Sequence, residues 1–141
     1  RESATEFRRM TRIGRVSRGF VEVPGGADGP SYFFVRDSER EGTGLSSLDP
    51  DGKVRNHVFW RWGGGTRIER SKEGRHLVYS RLAPYLEHSL YSDLYLYDRE
   101  RGREIRLTSG ARAIDPALSE DFAWDARTGK IASGSVYYAK N

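Results

Sequence analysis

Three histidines, two pairs of closely spaced carboxylates and one glycine-rich run are the residues of this 141-residue chain whose types could do chemistry. His57, His76 and His88 each sit in or beside an apolar stretch, and none belongs to a His-Glu-x-x-His pattern. Such isolated histidines fit hydrogen-bonded structural roles better than metal ligation or proton transfer. Asp49/Asp51 and Asp98/Glu100 have the oxygen spacing of a Ca²⁺ loop. Both pairs, however, fall in glycine-containing hairpin turns, where a carboxylate caps backbone N–H groups. Gly63-Gly64-Gly65-Thr66 lacks the lysine of a phosphate loop and joins strand to strand, not strand to helix, and Gly129-Lys130 fails the same spacing. No Gly-x-Ser-x-Gly elbow is present. The sequence therefore nominates no catalytic residue, no metal ligand and no cofactor.

The elements around these residues are strands. Aromatic residues make up 12% of the chain, charged residues 31%, and mean hydropathy is −0.74, a composition suited to half-buried strands. No apolar run approaches the roughly 18 residues of a membrane-spanning helix, and cysteine is absent. The net charge of +4 resides in the first 18 residues, where Arg1, Arg8, Arg9, Arg12, Arg15 and Arg18 face only Glu2 and Glu6. That segment could meet phosphates or anionic lipid, but the sequence does not establish basic residues interleaved with exposed aromatics on one continuous surface, so no nucleic-acid partner is expected.

The clearest unit spans residues 65–108. GTRIERS reads as a strand, Lys72-Glu73-Gly74 as a turn, and RHLVYSR (75–81) as a second strand. A connection over residues 82–91 holds Pro84 and His88; DLYLY (93–97), the DRERG turn and REIRLT (103–108) follow. A more degenerate copy precedes it: FVEV (20–23), a PGGADG turn, YFFVRD (32–37), a polar connection over 38–44, then strands at 45–48 and 54–60 flanking Asp49-Pro50-Asp51-Gly52. Val23, Ser71 and Ser119 are 48 residues apart, and Asp49 stands 49 before Asp98. A period of that length in a strand-rich chain predicts all-β architecture built from β-propeller blades of four antiparallel strands.

The expected division is residues 1–12 as the end of a preceding blade, 13–62 and 63–109 as blades, and 110–141 as the start of a further, irregular one. After Ser119 two readings stand. Residues 122–124 and 130–131 flank a hairpin turn, or residues 122–129 lengthen a turn before a second strand at 130–140. About three blades cannot close a ring that needs about four to eight. Opening inside a repeat, the chain reads as a piece of a longer polypeptide whose open edges are covered by further blades or by another protein.

The Ser-x-x-Gly turn, the apolar strand after it, DLYLYDRERG and RLT resemble the TolB-like, Trp-Asp-repeat-like β-propeller family over residues 6–121, best over 64–119. The usual Ser-Pro-Asp-Gly turn is Ser71-Lys72-Glu73-Gly74 here, and Ser119-Glu120-Asp121 lacks the glycine. The resemblance carries over no catalytic residue. It implies a non-catalytic scaffold for protein–protein interaction, with residues 38–44 and 82–91 as recognition loops, in the periplasm or cell envelope; the residues themselves do not separate that from the cytoplasm. The alternative it leaves open is a substrate-gating propeller of a larger peptidase or other hydrolase whose catalytic domain lies elsewhere. A weaker reading places a glycan on Phe59, Trp60, Trp62, Tyr91, Tyr95 and Tyr97, which otherwise serve packing between blades.

Overall fold

A computed structural model describes residues 16–38, 42–62 and 67–141. These residues are all-β, and every sheet is antiparallel. Sheet A is a meander of β1 (Val16–Val23), β2 (Ser31–Ser38), β3 (Gly42–Leu48) and β4 (Val54–Trp60). Sheet B repeats it with β5 (Ile68–Arg70), β6 (His76–Tyr85), β7 (Ser89–Asp98) and β8 (Arg103–Arg106). The last region differs: β9 (Ala113–Leu118) pairs with β12 (Val136–Lys140), and between them β10 (Ala123–Asp125) and β11 (Lys130–Ser133) form a separate hairpin. The expected end of a preceding blade at residues 1–12 and the Gly63–Thr66 run lie outside the described residues.

Period-two alternation puts successive side chains on opposite sheet faces, and sheet B uses both of its faces. Leu77, Tyr79, Tyr95 and Tyr97 pack against Phe33, Val35, Leu45 and Trp60 of sheet A. Val78 and Leu96 point the other way, onto Phe122, Leu118, Trp124 and Val136. The result is three layers stacked face to face, with β1 beside β5 and β5 beside β9.

The start of each layer is set by a turn. Ser71 N–H donates to His76 O, His76 N–H donates back to Ser71 Oγ (3.1 Å), and Gly74 N–H donates to Ser71 O. Ser119 repeats all three bonds: its N–H donates to Ser135 O, Ser135 N–H donates to Ser119 Oγ (2.8 Å), and Phe122 N–H donates to Ser119 O. Where the first turn passes directly through Gly74 and Arg75, the second leaves at Phe122, makes the β10–β11 hairpin and returns at Gly134. The structure therefore combines the two readings of the C-terminal region. The hairpin at 123–133 exists, and it is inserted into a turn whose second strand is β12.

The connection expected over 82–91 is not a long loop. β6 and β7 stay paired as far as Tyr85↔Ser89, leaving only Leu86, Glu87 and His88 at the tip. Pro84 is tolerated there because β5 reaches only Leu77–Tyr79, so its missing N–H breaks no bond to a neighbouring strand. Likewise β2 continues to Ser38 and β3 begins at Gly42, which shortens the expected 38–44 connection; residues 39–41 lie outside the described set.

Candidate functional site

The paired extension of β6 and β7 carries the most exposed large apolar side chain among the described residues, Leu86, which is 76% exposed and held at φ +59°. A left-handed leucine is disfavoured by Cβ–carbonyl contact, so the tip retains a bulky apolar group where glycine would be easier. Leu90 is exposed beside it, and Glu87 and His88 complete the tip. The base is firm. Tyr85 and Tyr91 stack at 5.0 Å, and the Arg112 guanidinium lies 4.6 Å over Tyr91 while donating to its hydroxyl. That bond and the nearby charge lower the Tyr91 phenol from its ordinary value. Gly110, at φ +67°, lies so close to the Tyr85 ring that no Cβ fits there.

Below the tip, fully buried Asp93 binds the strand that leaves sheet B. Its carboxylate accepts from Arg106 Nη2 (2.6 Å), Thr108 Oγ1 (2.7 Å), Gly110 N–H (2.9 Å) and Ala111 N–H (2.9 Å). Burial alone would raise this carboxyl; the four donors outweigh it and hold it below the usual carboxylate range. Asp93 is thereby a clasp between β7 and the segment entering β9.

A second polar cluster lies in the joint between sheets A and B. Glu104 accepts from Tyr79 Oη (2.5 Å), Trp60 Nε1 (3.1 Å) and both Nε and Nη2 of Arg81 (3.2 and 2.6 Å). Arg81 also lies 3.9 Å over the Tyr95 ring. Burial beside Glu104 pushes the Tyr79 phenol well above its ordinary value. Every donor is matched, so this cluster fixes the joint and presents no unsatisfied group for a ligand. Sequence reading missed it; its signal was Arg81 interrupting the mostly apolar strand β6, whereas Glu104 stands among the charged residues of β8 and gave none.

The nominated residues fall as follows. Ser47 Oγ donates to Asp49 Oδ1 (2.9 Å) and lies 2.8 Å from His57 Nε2. With its one proton given to the carboxylate, Ser47 accepts from an Nε2–H, so this imidazole is in no position to take the serine proton. His57 also packs on Phe33 and Tyr97, and burial lowers its pKa. His76 is buried, with neither ring nitrogen hydrogen-bonded; Glu73 is 3.6 Å and Asp98 3.9 Å away. His88 is exposed at the tip. Each carboxylate pair is spanned by an arginine: Arg55 binds Asp49 and Asp51, while Arg75 binds Asp98 (3.2 Å) and Glu100 (2.9 Å). Asp98 Oδ1 also accepts from Glu100 N–H and Arg101 N–H, as expected of a turn. Among the described residues no three His, Asp or Glu side chains gather as a metal site, and no helix is long and apolar enough to cross a membrane. Of the nominated aromatics, Trp60, Tyr95 and Tyr97 are buried in the joint, Tyr91 braces the tip, Trp62 lies under Arg61, and Phe59 is exposed on the opposite face of sheet A.

Compared with known proteins, the chain matches no family model, no curated protein and no solved structure.

Proposed function

We propose that the chain is a partial β-propeller of the TolB-like kind, its sheets serving as blades, and that it is a non-catalytic scaffold recognising protein partners through the β6–β7 tip. The observation that carries this reading is the stack itself: layers packed face to face, with their first strands β1, β5 and β9 side by side. Blades that meet along their first strands arrange radially, and a rigid stack leaves recognition to what projects from it. The tip fits that role because an exposed Leu86 and Leu90 stand on a braced tyrosine base, so little ordering entropy is lost on binding. On this reading residues 13–62 and 63–109 are blades, 110–141 begins another, and 1–12 ends a preceding one. The periplasm or cell envelope is the location that accompanies it.

A photo-crosslinking amino acid at position 88 tests the proposal in envelope extracts of a bacterial host. Discrete crosslinked proteins are expected with the probe at 88, and their loss is expected when Leu86→Asp and Leu90→Asp are added. Equal crosslinking from position 88 with and without those changes refutes recognition at the tip.

A further inference from the structure

The three layers open on aligned turns. Ser31, His76 and Ser135 each open the second strand of a layer, opposite Val23, Ser71 and Ser119. Val23-Pro24, Ser71-Lys72 and Ser119-Glu120 are therefore equivalent pairs. Between sheets A and B the turns touch: a Cβ added to Gly74 would lie 2.7 Å from Val23 Cγ1 and 3.3 Å from Pro24 Cδ. Between sheet B and the third layer they do not meet in this way. Phe122 takes the place of Gly74 in the serine turn and packs onto Val78 and Leu96. Ser71 and Lys72 instead border a cavity of about 290 Å³, walled opposite them by Leu118, Ser119 and Glu120.

The polar groups around this cavity divide into matched and unmatched. Both serine hydroxyls are engaged by their own turns, accepting from His76 N–H and Ser135 N–H. Glu69 is bound by Arg67 through Nε (2.9 Å) and Nη2 (2.6 Å). Arg70 donates Nη1 to Ser71 O (3.2 Å) and Lys72 O (2.8 Å), which leaves its charge without a carboxylate. Lys72 and Glu120, which also line the cavity, have no ion-pair partner among the described residues. Elsewhere the chain supplies the counter-charge itself, Glu104 to Arg81 and Asp93 to Arg106. Here two cations and one carboxylate border the same small space unanswered. We propose that the cavity binds a small zwitterion, an α-amino acid with a short side chain. Its carboxylate meets Arg70 and Lys72, its ammonium meets Glu120, and its side chain lies against Leu118. Each charge of such a ligand finds its opposite, as charges leaving water require. A plain carboxylate leaves Glu120 unanswered, and a plain amine leaves both cations so. The volume stands at the lower end of ligand pockets, which run from about 300 Å³ upward, and suits one amino acid better than a longer peptide.

Titration of the isotope-labelled chain with L-alanine, propionate and ethylamine, followed by amide chemical shifts, tests this. L-alanine is expected to move the amides of Arg70, Ser71, Lys72, Ser119 and Glu120 together and to saturate. It should bind about tenfold more tightly than either probe, each of which lacks one of its charges. Lys72→Gln and Glu120→Gln, both at exposed residues, should each weaken L-alanine by about threefold or more. Equal binding of propionate or ethylamine overturns the proposal. So do shifts that fail to saturate, that fall outside the two turns, or that persist undiminished in both variants. The three probes are compared on the wild-type chain, so that outcome does not depend on how the variants fold. The cavity lies between the serine turns and not at the β6–β7 tip, so crosslinking at position 88 and L-alanine binding can fail independently.

Discussion

Sheet B and the β9–β12 layer begin with the same serine turn, hydrogen bond for hydrogen bond, yet end in opposite environments. Sheet B is covered on both faces and completed by β7 and β8, while β12 has one strand beside it and Tyr137 in solvent. The second strands HLVYSR and SVYYAK have nearly the same apolar pattern. Burial therefore follows from the neighbouring sheet and not from the strand's own pattern, as expected when one layer cannot hide both of its faces. The same difference explains the inserted hairpin. Phe122 and Trp124, delivered by it, pack on Val78, Leu96 and Ile105 of sheet B and cover a face that β9 and β12 are too few to cover.

Truncation at equivalent positions is the largest test of this contrast. Phe33→Ala empties the joint between sheets A and B and is expected to cost about 3–5 kcal/mol in denaturant unfolding. Tyr137→Ala at the matching position of the third layer should change the stability of the dilute chain by no more than about 0.5 kcal/mol. Comparable losses at the two sites would mean that the third layer is already covered in solution.

The repeat, the strands and most turns were legible because local rules set them: alternation, turn glycines and aspartates that cap turn N–H groups. Asp98 and Asp125 bind the N–H groups two and three residues onward in the same way, although only the first lay in a recognised unit. The β6–β7 extension was not legible, since Pro84 reads as a break until the shortness of β5 removes the bond it would interrupt. The Asp93 clasp and the Glu104 cluster were hidden for another reason. Their partners lie 13 to 44 residues apart in sequence, and only sheet register brings them together. The β10–β11 insertion could be framed as two alternatives but not resolved, because Ser119 and Ser135 meet only across the completed hairpin.

The return from that hairpin gives an intermediate test. Gly134, at φ +73°, abuts Ser119 Oγ and the Phe122 backbone, 2.7 Å from where a Cβ would sit. Gly129, at φ +67° in the turn of the same hairpin, has open space around it. Gly129→Ala should lose about 1–2 kcal/mol from the left-handed backbone alone. Gly134→Ala must also displace packed atoms and should lose about 2–4 kcal/mol. Equal losses would show that the insertion is not anchored where it rejoins the serine turn.

The smallest effect separates the two serine turns themselves, because His76 in sheet B is replaced by Ser135 in the third layer. Burial lowers the pKa of His76 and the adjacent Arg75 cation lowers it further, while Asp98 and Glu73 oppose the shift without reversing it. His57 is shifted the same way, by burial and by Arg99 and Arg55 against Asp49. A histidine whose folded pKa lies below its unfolded value near 6.5 takes up its proton more readily after unfolding. Stability is then fullest above about pH 6.5 and falls as pH drops below that value, until the folded-state pKa is passed. His76→Ser, which copies the third layer, should flatten the pH dependence of the thermal midpoint between about pH 7 and 5, and adding His57→Gln should flatten it further. The carboxylates cannot mimic this, because Asp49, Asp93 and Asp98 are all held below their ordinary range and lose their contribution only as pH falls below about 4. A midpoint that falls equally steeply in wild type and in the double variant would assign the loss to groups outside the two sheet joints.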